Sequence, residues 1–542
     1  MFEQNKVLVF KWVAFVFIMS VICLPFGAIA QQTSWLKQTW GEQVGSFYVD
    51  KTGNSYAVGT YFQWGKTIDG VTLNSTGHEN VFTAKYSPKG KLLWAATSTS
   101  SNSNNSVQGM GICANANGEV FITGYFAYTL LFDAIELHTN SGLTDIFLTK
   151  YSTEGKTLWT QAIGGMNSDF SYEVKLDDSS NCYLAGRFEY PFKIGDSVFY
   201  GSNFGMNNFF IAKLDTHGKL IWVHRGTGTS CPKIKVMPAG DLFACGQYQY
   251  DFTWESDTIA SKGGIDYYLL KLHPNGETNW VTTLNGSDYN NVHSFNIDQE
   301  GDAYPLGSSE GDTYLNDSLI SKFPNYDYFV AKLNQKGNLN WIKPVKRWKD
   351  TTEFHLNKIN IDFNNNLSIY GALTDRWDTI NLGYHHNYGL MRLKLNPNNG
   401  DETGSILYPN LPNTQSLQED KWGNFYLGGG FSYEIKIGDK ELKIASFYGR
   451  FIAKIKNDGV EEKPSTLLFP NPTNGLVQLE FENWNDPEIF YELYATNGQR
   501  IQNGSFLNQE NVLDLNGLSN GLYFLRLKGS QKNGAMLKVM KY

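Results

Sequence analysis

Apolar and polar residues alternate in short runs along most of the chain, and Gly, Asn and Asp punctuate them. In Val81-Phe-Thr-Ala-Lys-Tyr86, Phe82, Ala84 and Tyr86 share one face, and Val81, Thr83 and Lys85 share the other. Period two is the signature of a strand. This strand ends in a Lys seven times, at Lys85, Lys150, Lys213, Lys271, Lys332, Lys394 and Lys454. A turn glycine follows each, at Gly90, Gly155, Gly218, Gly276, Gly337, Gly400 and Gly459, spaced 58 to 65 residues apart. Four residues beyond the first five glycines stand Trp94, Trp159, Trp222, Trp280 and Trp341; the sixth repeat has Gly404 there.

Two further strands precede the Lys strand. The first ends in a turn such as Asp50-Lys-Thr-Gly53-Asn54 or Asp298-Gln-Glu-Gly301-Asp302, and the second is short and aromatic, as in Val120-Phe-Ile-Thr-Gly-Tyr-Phe126. Asp, Asn and Gly suit such turns through side-chain bonds to the backbone and a left-handed position. Between the second and third strands lies a smaller loop with a recurrent Asp: Asp69, Asp133, Asp196, Asp257, Asp317, Asp378 and Asp439. Four strands per repeat predict an all-β, seven-bladed β-propeller, with an open β-solenoid as the alternative. The last repeat stops at Gly459 without its Trp strand, and residues 34–40 carry an orphan one around Trp35. That strand is expected to close the last blade within a propeller spanning 31–459.

Composition narrows the class. The chain is 41% hydrophobic and 18% charged with a net charge of −8 and no strongly basic stretch, which argues against a nucleic-acid partner. Residues 1–30 read as a signal peptide. Lys6 and Lys11 precede an apolar run, and Ala28 and Ala30 flag cleavage after Ala30. Cys113, Cys182, Cys231 and Cys245 then remain, and their spacing leaves two disulfides or free thiols open.

Residues 460–465 form a short charged linker, and 466–542 change pattern to short strands with Asn-Gly turns, a small immunoglobulin-like β-sandwich. The repeat pattern over 42–459 resembles the SBBP-type β-propeller repeats of secreted bacterial proteins. The tail looks like the type A C-terminal sorting domain of the type IX secretion system of Bacteroidetes. The matching elements are Pro470-Asn471-Pro472-Thr-Asn474-Gly475, Ala-Thr-Asn497-Gly498 and Gly521-Leu-Tyr523-Phe-Leu-Arg-Leu. The second resemblance implies handling by the type IX machinery and a secreted or cell-surface destination, with attachment at the outer membrane open.

Chemistry-bearing residues are few. No Gly-x-Ser-x-Gly, His-Glu-x-x-His or P-loop motif is present. The seven lysines are expected to lay their stems on apolar surface with wet heads. Asp298 to Asp302 faintly resembles the start of a calcium loop but lacks the downstream Glu, so no cofactor or metal is assigned. Asp196-Ser197-Val198, Asp257-Thr258-Ile259, Asp317-Ser318-Leu319 and Asp378-Thr379-Ile380 resemble the O-glycosylation sequon of exported Bacteroidetes proteins. Trp64, Trp254, Trp348, Trp377 and Tyr384 fall outside the repeat consensus and are candidate platforms for a glycan or surface-protein ligand. The favoured function is a non-catalytic binding or adhesion scaffold. A polysaccharide or peptide hydrolase and a structural surface component are the alternatives. Perturbed carboxylates in the channel would favour the hydrolase, and small apolar linings the scaffold.

Overall fold

Each repeat becomes antiparallel strands in the computed structural model. It describes residues 33–542 except 40–42, 63–66, 70, 74–75, 77, 101–105, 140–142, 201–207, 229, 256, 287–289, 317, 346–351, 363–364, 376–386, 410–413, 421–422, 432–433, 438, 444–448, 457–464, 470–472, 483–487, 508–510 and 530–535. The second repeat is representative: Val107–Ala114, Val120–Ala127, Thr144–Tyr151 and Thr157–Ile163 pair in that order. Nearly every residue of the second and third strands is buried on both faces. Each sheet is covered by a neighbour on either side, so alternation carries no wet face here.

The first strands of successive repeats line up beside one another. They are Gln43–Val49, Val107–Ala114, Phe170–Leu176, Lys233–Val236, Asn291–Ile297, Thr352–Ile361 and Thr414–Glu419. Each touches the next, and Gln418 Oε1 and Nε2 bond Val49 N and Phe47 O, returning the seventh to the first. Thr33–Thr39 pairs antiparallel with Gly449–Ile455 and sets Trp35 opposite Lys454, the relation Trp94 has to Lys85. The all-β ring fits a β-propeller, whereas an open solenoid has two free ends.

Between second and third strands the chain forms small hairpins, such as Thr129–Phe132 with Ile135–His138 and Phe192–Ile194 with Ser197–Phe199. Their recurrent Asp residues are not equivalent. Asp133 is the first residue of its two-residue turn, Asp196 the second of its own, and Asp257 already the first residue of a strand. The left-handed place is Asp133, Gly195 or Glu255 instead.

The glycine–tryptophan spacing is a link between repeats. Trp35, Trp94, Trp159, Trp222, Trp280 and Trp341 each donate the indole N–H to a carbonyl in the turn of the next repeat, at 2.8–3.2 Å: Pro88, Thr153, Thr216, Pro274, Gln335 and Pro397. The ring lies against that turn's glycine. At Gly155, φ is +80° and an added Cβ would sit 2.6 Å from Trp94, so only glycine meets both demands.

The tail is built from two sheets, one of Ser465–Phe469, Leu476–Glu482 and Val512–Asp514, the other of Arg500–Leu507, Glu488–Ala495, Gly521–Lys528 and Met536–Lys541. They enclose a core of Val477, Leu479, Leu493, Leu513, Leu525 and Val539. Its basic end is structural: buried Lys541 Nζ donates to the carbonyls of Leu515, Asn516 and Leu518 at 2.9, 3.1 and 2.6 Å.

Candidate functional site

The repeat lysines do not keep wet heads. Six ammonium groups lie 4.9–5.4 Å from the centroid of an aromatic ring on the second strand: Lys85 over Tyr56, Lys150 over Phe121, Lys213 over Tyr183, Lys271 over Phe243, Lys332 over Tyr304 and Lys454 over Tyr426. Several are also ion-paired, as Lys150 with Glu119 and Lys271 with Asp241, both at 2.9 Å. The stems alone could not hold them there; a cation over a ring with a nearby carboxylate can. Burial still pulls Lys85 below its ordinary pKa.

The sixth repeat departs from this rule. Ser368 replaces the aromatic opposite Lys394, and Lys394 is exposed. Two residues away Arg392 takes over, its guanidinium 5.7 Å from the Tyr370 ring, Nε bonded to Ser368 Oγ, and NH2 paired with buried Glu419 of the seventh repeat at 3.1 Å. Tyr370 Oη and Asn360 Nδ2 also donate to Glu419. An ion pair thus joins the sixth and seventh repeats where Gly404 has replaced the tryptophan.

The inner strands form the central channel. Register places two tiers side by side. One holds Tyr48, Cys113, Lys175, Lys235, Asn296, Asn360 and Gln418; the next holds Ser46, Gly111, Glu173, Lys233, Ser294, Lys358 and Ser416. The residues between the tiers, such as Val174, Ile234 and Ile359, are buried in the sheets. Four lysines therefore converge with one carboxylate. Burial and then the fields of Lys235 and Lys175, on other sheets, hold Lys358 down at about 7. Burial and Lys175 bring Lys235 down to about 8. Burial also lowers Lys175, but Glu173, 2.5 Å away, overrides it and leaves Lys175 above its ordinary value. The lining is neither of the two that were expected. It is cationic and amide-rich, and the one thiol of these tiers is inert, since burial pushes Cys113 up to about 12.

One carboxyl is strongly raised elsewhere. Burial, and more weakly the charges of Asp145 and Glu189, pushes Asp169 up to about 8 against the backbone donors of Gly165 and Glu189. Asp169 and Asp145 are both buried, and Gly164 packs against the two of them. A sealed acid pair of this kind has no substrate access.

The other candidates fall as follows. Trp254 is buried: its ring stacks on Phe209 at 6.0 Å and its N–H bonds Thr278 Oγ1 at 2.9 Å, because the hairpin folds it under its own sheet. Trp64, Trp348, Trp377, Tyr384, Thr379, Pro470, Asn471, Pro472, Ala28 and Ala30 lie outside the described residues. Thr258 and Ser318 are exposed on hairpin strands, and Ser197 is half-buried. Asp298, Glu300 and Asp302 gather their carboxylates within 4.8 Å. Asp298 nonetheless accepts the N–H groups of Glu300 and Asp302 and the Tyr304 hydroxyl, and the Lys332 ammonium lies 2.9 Å from Asp302. The four cysteines are free thiols. In the tail, exposed Asn474 precedes Gly475, which packs on Asn516; Asn497 accepts from Gln499 N ahead of Gly498; and Tyr523 Oη bonds Ser519 O beyond Gly521. A cleft of about 800 Å³ separates the Asp50, Asn115 and Asp177 turns from Leu468, Gln478 and Leu537 of the tail.

Residues 467–541 match the secretion system C-terminal sorting domain. That domain marks proteins exported by the type IX secretion system to the cell surface or the medium, and it places this protein there. The uncharacterized WD repeat-containing protein L264 of Acanthamoeba polyphaga mimivirus is 22% identical over 365 residues, covering 54% of this chain and 26% of that protein. The chain thus spans about a quarter of the length of that relative. Among solved structures, the quinohemoprotein alcohol dehydrogenase from Comamonas testosteroni overlaps with a TM-score of 0.35 at 10% identity, covering 81% of this chain and 78% of that one. The Dos1 propeller overlaps with a TM-score of 0.28 at 9% identity, covering 65% of this chain and 92% of that one.

Proposed function

We propose that this protein is an exported binding scaffold: a seven-bladed β-propeller presented at the cell surface or in the medium, with an immunoglobulin-like sorting domain as its export address. The sorting domain carries the reading, because it fixes where the propeller works. The channel adds to it. Its lining is rich in hydrogen-bond donors, with Glu173 as the lone carboxylate of the two tiers. Hydrolysis of glycosides needs two carboxyls facing one cleft.

The test uses the exported chain, residues 31–542, on glycan and surface-protein arrays, beside a cell fractionation of a variant lacking 467–541. Selective binding by the exported chain, with retention of the truncated variant inside the cell, is the expected result. Turnover of a polysaccharide or peptide without stable binding would overturn the scaffold reading in favour of a hydrolase.

A further inference from the structure

The central channel holds more positive charge than its own residues neutralise. Lys175 is paired with Glu173. Lys233 reaches the carbonyl of His293 and Lys358 that of Leu417, both on the next inner strand. A carbonyl orients an ammonium but brings no counter-charge. Lys235 forms no hydrogen bond or ion pair among the described residues. These side chains come from the third, fourth and sixth repeats, yet they occupy adjacent tiers of one channel.

Lys233 is exposed and Lys175, Lys235 and Lys358 are half-buried, so water reaches these groups, but like charges gathered in one channel still repel unless something compensates them. A structural role would be served by carboxylates on the facing tiers, but those positions hold Asn296, Asn360 and Gln418. These amides are committed to the walls: Asn296 donates to Asn360, Asn360 to Glu419, and Gln418 spans Phe47 and Val49. The wall is therefore held rigid while the ammonium groups keep unfilled donor capacity. Enclosure by the channel walls first, and the neighbouring ammonium groups second, lower the pKa values of Lys235 and Lys358.

We propose that the channel is a binding site for a small polyanion bearing carboxylate or phosphate groups, gripped by Lys233, Lys235 and Lys358 with Glu173 limiting its affinity. The inference rests on the reading of the propeller as a binding scaffold and names the chemistry of one of its ligands.

The experiment is calorimetric titration of the exported chain, residues 31–542, with inorganic phosphate, citrate and trigalacturonate at constant ionic strength, alongside neutral maltotriose. The parent should bind at least one of the three anions and not maltotriose. Lys235→Gln with Lys358→Gln should weaken that binding on the order of a hundredfold, as removal of two charge-assisted contacts. Glu173→Gln should tighten it severalfold, a gain that misfolding cannot produce. Binding confined to trigalacturonate would identify a sugar acid as the source of the anion, and binding of phosphate or citrate a free anion. Absence of binding to all three, or equal binding by all variants, would overturn the proposal. Array binding that survives in the double lysine variant would leave the scaffold reading standing, so the two can fail separately.

Discussion

Trp35 donates its indole N–H to the carbonyl of Pro88 at 2.9 Å, and its ring lies where a Cβ on Gly90 would fall, 2.5 Å away. The first described strand therefore extends the sheet of the seventh repeat and also fastens it to the first repeat. Trp35→Ala should destabilise the propeller by about 3–5 kcal/mol, the usual cost of emptying a buried aromatic site. Trp35→Phe should lose about 1–3 kcal/mol, the penalty for a carbonyl left without its donor. Urea unfolding followed by tryptophan fluorescence would measure both; a Trp35→Ala protein as stable as the parent would sever the closure from stability.

Gly155 and Gly118 separate two effects. Both have positive φ, +80° and +86°, but a Cβ at Gly155 meets Trp94 at 2.6 Å, whereas at Gly118 its nearest neighbour is 3.4 Å away. Gly118→Ala should cost about 1 kcal/mol of backbone strain. Gly155→Ala should cost about 1–3 kcal/mol more, because Trp94 must move from its carbonyl. Equal melting temperatures for the two variants would contradict the latch.

The buried Arg392–Glu419 pair offers a third comparison. Arg392→Met strands Glu419 with only the Tyr370 and Asn360 donors and should cost about 3–5 kcal/mol. Adding Glu419→Gln should recover part of that loss. A double variant no more stable than the single one would show that the charge was not the cause.

Asp169 predicts a pH dependence. Its folded pKa, about 8, lies above the ordinary carboxyl value of 3.8, so the folded state holds a proton that the unfolded chain releases first. Its contribution to stability is complete below pH 3.8 and declines as pH rises through about 8. Asp169→Asn should remove that component of the decline. Thermal melts from pH 4 to 9 test this, and unchanged slopes would refute it.

Lys541 ties the chain's basic end into the tail. Lys541→Met should leave the carbonyls of Leu515, Asn516 and Leu518 short of a donor and destabilise the tail by about 1–3 kcal/mol. Amide hydrogen exchange at Val512–Asp514 and Met536–Lys541 would detect the loosening, and unchanged protection there would contradict it.

Strand order within a repeat was legible in the chain because turns are local: Asp50, Gly53 and Asn54 bond one another within five residues. The meaning of the lysines was not. Tyr56 comes opposite Lys85 only through strand pairing, and nothing near Lys85 in sequence announces the ring beneath it. Trp254 misled for a related reason, since a residue outside the repeat consensus can still fold back under Phe209. The channel lysines escaped notice because their tiers do not repeat: the place of Lys175 is Tyr48 in one repeat and Gln418 in another. The one available signal was Lys233-Ile234-Lys235, two like charges on one face of a strand with a core residue between them.

Strand Gly449–Ile455 lies between Phe425–Phe431 and Thr33–Thr39 and pairs antiparallel with both. The sorting domain follows it in the chain, so any pull exerted through the tail enters the ring at Ile455. Force along that strand strains two ladders of hydrogen bonds in shear, all at once, instead of peeling them one by one. The first described strand thus reinforces the strand from which the chain leaves the ring toward the sorting domain.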